Sequence, residues 1–388
     1  MTRSSQHPTG TPAALVLGLD SHGLSVARAL ADAGVPVYAL ERSRRTPGVR
    51  SNRVKAVFYV ADYSAERLLP ALADIRKSLS AHSQVALLAI NDRQVEVIAR
   101  HLPQLLTDYR IAWADQAQAI LTLQRKDMLE EISVRQGLNY PKSRLLLDAV
   151  THDEAADLRY PLILKPVRPL SSFKTLLLQS PAELGPALRQ YAHDLPILAQ
   201  EYIAGDDLAI YFGALFLDRG EVVYGMSGRK IASHPPARGQ TTIAETVDAP
   251  EVLRLTEQFF AGMGLSGPVS LELKRDPDGR HWVIEPTVGR TDFWSELCIS
   301  AGFNQPEMEF RLACGLPINR PDHLEPCVWY DTERDPRAYA GLCLSERRLS
   351  PRGLRPVFPY VGHGDSGPAL RAWQDLFVRL AKRVTKTT

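Results

Sequence analysis

The stretch VSLELKRDPDGRHWVIEPTVGR, residues 269–290, contains two apolar runs, and each run carries one carboxylate, Glu272 or Glu285. Between the runs stands DPDG, a sequence typical of a β-hairpin turn. With Asp-Gly as a two-residue turn, residue 275 pairs with 282, and Glu272 lies opposite Glu285. The stretch therefore predicts two carboxylates on one face of a hairpin, about 4.5–5.5 Å apart at their Cβ atoms.

Two carboxylates at this distance repel each other, and removal from water makes the repulsion stronger. A positive charge must compensate them, either Lys274, two residues along on the same face, or a divalent cation. Mg²⁺ prefers one or two carboxylates together with substrate phosphates. The hairpin therefore indicates a metal–nucleotide site, although a pair of surface glutamates on a half-exposed hairpin explains the same pattern.

The composition is that of a globular protein with two or three domains. The chain has 388 residues, of which 45% are hydrophobic and 23% charged, and its net charge is +2. This charge argues against a strongly polyanionic partner, so no nucleic acid is expected. The four cysteines match neither a zinc site nor a dense disulfide framework. Because we find neither a secretory signal nor a run of about eighteen apolar residues, we expect a cytoplasmic protein with no membrane span.

The first part of the chain alternates strand and helix signals. AALVLGL, from residue 13, is an apolar run of strand length, LSVARALADAG has helical spacing, and VPVYAL and VALLAI are further buried strands. After a disordered tail at residues 1–12, we therefore predict a doubly wound α/β domain over residues 13–112. The turn GLDSHG, between the first strand and helix, fits either a tight turn of small residues or a phosphate-binding loop.

Three further units follow this domain. Residues 113–195 contain a helical pattern from 115 to 136, the strand PLILKPV, the polar loop RPLSSFK and a second helix. Residues 196–320 are dominated by strands rich in Val, Ile, Leu and Tyr. Residues 321–388 form an extension that ends in an amphipathic helix. The predicted fold class is therefore α/β combined with α+β.

Cations accompany the paired acids. Lys165 lies inside an apolar strand, where an ammonium group needs an anionic partner, whereas Lys126 by itself fits the solvated face of a helix. The segment AQEYIAGDD offers strand-edge backbone groups for an adenine ring and Asp207 for ribose hydroxyls. Further cations, which suit a triphosphate and a developing oxyanion, are Arg229, Lys230, Arg238 and Arg290.

The order of these features resembles that of the ATP-grasp superfamily over residues 13–320. The similarity is to its carboxylate–amine ligase branch, which contains D-aspartate ligase-like and carbamoyl-phosphate-synthase-like proteins. GLSVARALADAGVPVYAL looks like the pre-ATP-grasp domain of that branch. The resemblance implies an ATP-grasp fold with an N-terminal Rossmann-like pre-ATP-grasp domain, a small lid subdomain at 113–195 and a larger antiparallel-sheet subdomain at 196–320.

The resemblance also implies roles for individual residues. The residues that would bind ATP are Lys126, Lys165, Gln200, Glu201, Ile203, Asp207 and Lys230. The metal ligands would be Glu272, Glu285 and Thr287, and the catalytic residues would be Lys165, Arg229 and Arg290. The motif EPTVGR corresponds to the E-x-N-P-R-like motif of the family, which ends in the basic residue.

The activity that the resemblance implies is that of an ADP-forming ligase, which activates a carboxylate as an acyl phosphate and couples it to an amine. Its cofactors would be ATP and Mg²⁺, with Mn²⁺ as an alternative, and its substrates an amino acid, a peptide or a cell-envelope precursor. Analogy suggests a homodimer. We expect the loops 231–246 and 291–305 to line the substrate pocket, with Phe293 and Trp294 either as substrate platforms or as packing residues.

The sequence departs from the family pattern at two places, which keeps alternatives open. Thr287 stands where the family has Asn, and the lid loop RPLSSFK is poor in glycine, so that Ser171, Ser172 and Lys174 would replace backbone amides around the phosphates. A non-catalytic ATP-binding protein on the same scaffold is therefore a second hypothesis. A third is a nicotinamide-dependent oxidoreductase, although G-x-G-x-x-G is absent and only Glu41 lies near the expected acid position.

Overall fold

The computed structural model describes residues 10–149, 155–167, 172–173, 175–237, 239–348, 351–362 and 364–384, whose strands form three sheets. The expectations for residues 1–9, Ser171, Lys174 and Arg238 lie outside the described residues. None of the helices in the described ranges is long and apolar enough to cross a membrane.

The N-terminal part is a parallel sheet flanked by helices, as its sequence pattern predicts. Its strands β1 (Ala13–Val16), β2 (Val37–Glu41), β3 (Ala56–Tyr59) and β4 (Val85–Leu88) are arranged in the order β3-β2-β1-β4. The connecting helices are α1 (Ser21–Asp32), α2 (Ala65–Ser78) and α3 (Asp92–Arg100). The strand order reverses between β1 and β4, and ligands of such sheets bind at the carboxyl edge of this switch point.

The helical pattern predicted from 115 to 136 is interrupted in the structure. After α4 (Leu102–Leu105), the chain forms α5 (Ala117–Leu123), a 3₁₀ turn at Lys126–Met128, and α6 (Leu129–Arg135). Arg125 has an extended backbone, with φ −88° and ψ 110°, and this ends the first helical segment. Lys126 therefore begins a new turn directly beside the hairpin, instead of lying in the middle of a helix.

The second sheet is small and antiparallel, in the order β5-β8-β6-β7. Its strands are β5 (Ser143–Leu146), β6 (Leu162–Pro166), β7 (Leu176–Leu178) and β8 (Ile197–Glu201), and α7 (Leu184–Gln190) lies between β7 and β8 in sequence. Leu162 and Leu164 are buried, whereas Lys165 is only partly buried, because successive residues of a strand point to opposite faces. Strand β6 thus carries Lys165 on the face opposite to the one that buries Leu162 and Leu164.

The third sheet has seven strands in the order β13-β12-β9-β10-β11-β14-β15. They are β9 (Ile210–Asp218), β10 (Glu221–His234), β11 (Gln240–Thr246), β12 (Gly267–Arg275), β13 (His281–Val288), β14 (Cys327–Tyr330) and β15 (Arg355–Val357). The remaining helices are α8 (Pro250–Phe260), α9 (Ser295–Ser300), α10 (Gln305–Ala313), α11 (Pro336–Glu346) and α12 (Gly367–Val384). Because β14 and β15 complete this sheet, the segment after residue 320 is built into it.

One apolar core joins the N-terminal part to the large sheet. It contains Val95 of α3, Ile120 of α5 and Val288 of β13, together with Trp113 between them. These residues are almost completely buried, and α5 packs against both α3 and β13. This packing holds the carboxyl edge of the parallel sheet close to the end of the hairpin.

The hairpin pairs Glu272 with Glu285, as predicted, but its loop and its register differ from the prediction. Its loop has three residues, because Gly279, with φ +86°, donates its N–H to the carbonyl of Asp276 at 2.9 Å. The predicted pairing of residue 275 with 282 is therefore wrong, since 275 pairs with 281. A bulge at Ile284 then shifts the register by one residue and restores the pairing of the two glutamates.

Candidate active site

A cavity of about 410 Å³ lies where the small sheet, the large sheet and the N-terminal part meet. Many residues predicted from the sequence line it together. They are Lys126, Lys165, Gln200, Glu201, Ile203, Lys230, Glu272, Glu285, Thr287 and Arg290. The chain therefore brings residues that are up to 164 positions apart, Lys126 and Arg290, to one place.

The two glutamates face this cavity, and each has a lysine beside it. Lys126 Nζ lies 3.3 Å from Glu285 Oε1, and Lys230 Nζ lies 3.4 Å from Glu272 Oε1. The carboxylate of Glu285 raises the pKa of Lys126, against the opposing effect of burial. The repulsion between the acids is therefore offset by lysines from two other elements, and not by Lys274 alone.

The paired carboxylates fit the requirements of Mg²⁺. Among the described residues, no group of three or more His, Cys, Asp or Glu side chains could hold a metal ion. A metal at Glu272 and Glu285 would thus depend on oxygen ligands from a bound molecule and water. Mg²⁺ meets this condition, because it is usually held by one or two carboxylates and substrate phosphates, with several waters retained.

Two lysines of the cavity wall, Lys165 and Lys274, have neutral groups as their nearest described partners. Burial and the neighbouring Lys126 lower the pKa of Lys165 to about 8, and its ammonium donates to the Gln200 side-chain oxygen at 2.8 Å. Burial and Lys230 lower the pKa of Lys274 to about 8, and its Nζ lies 4.4 Å from the centre of the Tyr202 ring. A bound polyanion such as a triphosphate would neutralise the positive charges of these two lysines.

The segment at the end of β8 presents backbone and apolar groups to the cavity. The Glu201 carboxylate is 3.1 Å from Arg159 Nη2, so the side chain is engaged by a residue outside the cavity wall. Gln200 is buried, and its amide nitrogen donates to Ser143 Oγ at 3.0 Å. Sequence reasoning missed Tyr202 as a wall residue, although an aromatic residue inside the predicted adenine segment is a signal for it.

Two predicted residues do not line the cavity. Asp207 is buried behind Lys230, where it accepts hydrogen bonds from Ser233 Oγ at 2.8 Å and from the backbone N–H of Ala237 at 3.1 Å. Arg229 Nη2 lies 2.6 Å from Glu245 Oε1, and this ion pair holds the Arg229 guanidinium group outside the cavity wall.

Glu245 is shared with a second arginine that sequence reasoning did not include. Arg352 Nη2 lies 2.8 Å from the same Glu245 oxygen, and Glu245 itself is buried. The carboxylate is therefore bound by two partly exposed guanidinium groups, and Arg229 belongs to this network between β10, β11 and the C-terminal segment.

Arg290 lies at the end of the cavity that faces the N-terminal part. Its Nε is 2.7 Å from Asp92 Oδ1, and its Nη1 donates to the carbonyl of Thr291 at 3.0 Å. Burial opposes the charge of Arg290, but Asp92 and Asp292 outweigh it and keep the arginine pKa above its ordinary value. Asp92 was missed from the sequence, although an acid that follows a buried strand is a known signal for a site at a sheet edge.

Thr287 is oriented by a half-buried acid that sequence reasoning also missed. Its hydroxyl donates to Asp292 Oδ2 at 2.9 Å, and the same carboxylate oxygen accepts from Ser270 Oγ at 2.9 Å. Burial raises the pKa of Asp292. Because a hydroxyl oxygen keeps acceptor lone pairs when it donates, Thr287 can still offer its oxygen to a metal ion.

The turn GLDSHG is a tight structural connection. A Cβ atom on Gly23 would lie 2.1 Å from the Gly18 carbonyl oxygen, so only glycine fits there. The Glu41 carboxylate accepts backbone hydrogen bonds from Leu19 at 2.7 Å, Arg42 at 2.7 Å and Ser43 at 3.1 Å. Three backbone N–H groups thus already bind the Glu41 carboxylate, which weakens the support for the oxidoreductase hypothesis.

Of the two aromatic residues predicted as platforms or packing, Phe293 lines the cavity and Trp294 does not. Trp294 is buried and stacks on Phe212, with 3.8 Å between the ring centres. Gln240, from the loop that was expected to line the substrate pocket, also lies in the cavity wall. Trp294 is therefore a packing residue, whereas Phe293 is placed to contact a bound molecule.

Comparisons with known proteins agree with this architecture. No protein-family model matches the chain. A D-alanine–D-alanine ligase of Pseudomonas entomophila is 28% identical over 178 residues, which are 43% of this chain and 56% of the ligase. A ligase of the same name from Pseudomonas putida is 27% identical over the same length. The chain thus matches about half the length of these curated relatives.

Solved structures resemble the chain over a larger part of its length. An L-amino acid ligase from Bacillus licheniformis has a TM-score of 0.61 at 16% identity, covering 78% of this chain and 74% of that one. An ADP complex of N5-carboxyaminoimidazole ribonucleotide synthetase has a TM-score of 0.66 at 15% identity, covering 96% and 98%. These proteins have the ATP-grasp fold, and the chain has the same fold, which confirms the predicted fold class and resemblance.

Proposed function

We propose that this chain is an ADP-forming carboxylate–amine ligase that activates a carboxylate as an acyl phosphate. The observation that carries the proposal is the pairing of Glu272 with Glu285 in a cavity lined by Lys126, Lys165, Lys230 and Lys274. The similarity to D-alanine–D-alanine ligases supports it. Its substrates would be small carboxylates and amines, of which amino acids and peptides are the first to test.

In this proposal ATP lies between the small and the large sheet. The backbone of Glu201 and the side chains of Tyr202 and Ile203 would border the adenine ring. Lys126 and Lys165 would neutralise the phosphate oxygens from one side of the cavity. Lys230 and Lys274 would neutralise the phosphate oxygens from the opposite side of the cavity. Asp207 and Arg229 receive no contact with ATP in this arrangement, because each is engaged by other residues outside the cavity wall.

The metal ion would be held by Glu272, Glu285 and the hydroxyl oxygen of Thr287. When bound, Mg²⁺, or Mn²⁺ in its place, supplies charge neutralisation to the phosphate oxygens. The residues themselves prepare this site, because Lys126 and Lys230 lie beside the two carboxylates and offset their mutual repulsion, and Asp292 accepts the hydrogen bond that orients the threonine.

The reaction would proceed in two steps. A substrate carboxylate oxygen attacks the γ-phosphorus of ATP, the bond from that phosphorus to the bridging oxygen breaks, and ADP leaves with the electron pair. Lys126 and Lys165 neutralise the charge that spreads over the phosphoryl oxygens. An amine nitrogen then attacks the acyl carbon, its proton is lost, and inorganic phosphate leaves. Arg290, which lines the cavity, would stabilise the oxyanion of this second step.

The test is ADP release measured over a panel of carboxylates, amines, amino acids and dipeptides. Glu285→Gln removes one carboxylate charge at nearly constant volume, and we expect it to abolish ADP release while the protein stays folded. Glu257→Gln, on the exposed surface of α8, is the matched control and should keep full activity. Full activity of the Glu285→Gln variant would remove the metal assignment and, with it, the proposed reaction.

A non-catalytic ATP-binding protein is the second candidate, because Thr287 stands where the family pattern has Asn. Binding of ATP without any turnover across the whole panel would support this candidate over the ligase.

Two further properties of the protein are part of the proposal. We propose a homodimer in the cytoplasm, and sedimentation equilibrium tests the dimer. All four cysteines lie in the described part of the chain and none is disulfide-bonded, which suits a reducing compartment.

A further inference from the structure

Helix α12 exposes an apolar stripe that consists of Leu370, Trp373 and Phe377. Each of these side chains is more than 60% exposed, and their spacing of three and four residues places them on one side of the helix. Ala372 lies on the other side and is buried. A surface helix normally turns its apolar side towards the core, and single exposed apolar residues are ordinary. The stripe of α12 is neither, because three large side chains share one outward side.

The segment against which α12 packs is basic. This basic segment, residues 42–55 (RSRRTPGVRSNRVK), contains five arginines, one lysine and no acid. Arg45 and Arg50 are exposed, and neither forms an ion pair with a carboxylate of the described residues, whereas Arg53 is 3.3 Å from Asp32. The sequence that follows the stripe, RLAKRVTKTT at 379–388, adds four cations and no acid. Positive charge is thus concentrated on both sides of the stripe in sequence.

The contact between Arg50 and Gly367 holds the basic segment beside the stripe. Gly367 is the first residue of α12, one turn before Leu370, and a Cβ atom on it would lie 3.2 Å from the Cβ atom of Arg50. The Asp365 carboxylate fixes this arrangement by accepting hydrogen bonds from Ser51 Oγ at 2.7 Å and from the backbone N–H of Asn52 at 3.0 Å. Arg50 therefore adjoins the start of the stripe.

We infer that the apolar stripe and the basic segment together bind the surface of a membrane that contains anionic lipids. The arginines would contact the phosphate groups of the lipids. The stripe would enter the boundary between headgroups and acyl chains, where a tryptophan ring is favoured. The inference concerns a surface away from the proposed active site and does not depend on the ligase reaction.

The combination of charge and apolar surface selects this partner over two others. A nucleic acid would neutralise the arginines but would leave the apolar stripe in water. A second copy of the chain would cover the stripe, but a symmetric pairing through this surface brings the same patch of both copies together, with the two basic segments close to each other. Like charges at an interface are unfavourable. An anionic membrane surface suits both features at once.

Co-sedimentation of the full chain with lipid vesicles measures this binding. The two vesicle types to compare are phosphatidylcholine alone and phosphatidylcholine mixed with phosphatidylglycerol. We expect the partition coefficient to be at least tenfold higher for the mixed vesicles and to fall as the salt concentration rises, because salt screens the contacts of the arginines.

Two pairs of variants test the two parts of the surface on the mixed vesicles. Leu370→Ser should lower the partition coefficient about fivefold, whereas Leu147→Ser, at a leucine of similar exposure beyond the end of β5, should leave it unchanged. Arg50→Glu should lower it at least tenfold, whereas Arg189→Glu, at an exposed arginine of α7, should leave it unchanged. Thermal unfolding of each variant establishes that it is folded.

Trp373 gives a direct measure of contact with the membrane, because it is the most exposed of the five tryptophans. Lipids with brominated acyl chains should quench part of the tryptophan fluorescence of the bound protein. Trp373→Phe should remove this quenching while the protein still binds the vesicles.

Several results would overturn the inference. The first is absence of binding to the mixed vesicles by the folded protein. The second is equal binding by the unmodified protein and either Leu370→Ser or Arg50→Glu, or an equal loss in the control variants, because binding would then not depend on this surface. The third is a dimer in sedimentation equilibrium that Leu370→Ser dissociates, together with absence of vesicle binding, which would make a second copy the partner of the stripe.

Discussion

The lowered pKa of Lys165 leads to a quantitative prediction about ATP binding. In the free protein this pKa is about 8, chiefly because of burial and then because of Lys126. Contact with a triphosphate should return it towards the ordinary value of about 10.4. Binding would then take up a proton, about half a proton per site at pH 8, because the free lysine is half ionised there.

The sign and size of the pH effect follow from this shift. The protonated fraction of free Lys165 falls from about 0.9 at pH 7 to about 0.1 at pH 9. If ATP binds the protonated form, its Kd rises about tenfold over this interval, which corresponds to about 1.4 kcal/mol. The contribution is complete well below pH 8 and is lost as the pH rises through 8.

Isothermal titration calorimetry measures both quantities. Titrations in buffers with different ionisation enthalpies give the number of protons taken up, and titrations from pH 7 to 9 give the Kd. Lys165→Met should bind more weakly and lose this part of the pH dependence, so the difference from the unmodified protein isolates Lys165 from Lys274. Lys77→Met, at an exposed lysine, should retain the full dependence. An identical pH profile in Lys165→Met and the unmodified protein would refute the argument.

Two further predictions concern stability and use urea unfolding. Trp294→Ala should cost about 3–5 kcal/mol, because the ring is buried and stacked on a phenylalanine at 3.8 Å, whereas Trp373→Ala, at an exposed position, should change the free energy of unfolding little. A stable Trp294→Ala protein without activity would instead make the ring a substrate platform. Gly23→Ala should destabilise by about 1–3 kcal/mol, because its Cβ would meet the Gly18 carbonyl at 2.1 Å. Gly341→Ala, in α11 with open space around it, should stabilise by up to about 1 kcal/mol, and equal effects of the two changes would contradict the steric argument.

Local sequence patterns predicted much of this protein. Periodicity indicated the parallel sheet at 13–112 and the terminal helix, and the apolar run around Lys165 was correctly predicted to be a strand. The pairing of Glu272 with Glu285 was predicted correctly, although the turn was not. A longer loop and a bulge at Ile284 shift the register in opposite directions, and neither follows from the Asp-Gly signal.

Tertiary structure alone decided which distant groups meet. Sequence order placed Arg229 with the cations of the site, but Arg229 pairs outside the cavity with Glu245, which also binds Arg352. The same holds for Asp331, whose segment showed no clear pattern and which lies in the wall of a cavity beside Arg290. Periodicity and turn chemistry act over a few neighbouring residues, so the sequence determines local elements and the spacing of side chains along them. Contacts between residues far apart depend on how those elements pack, and a charged group pairs with whichever opposite charge the packing brings within reach.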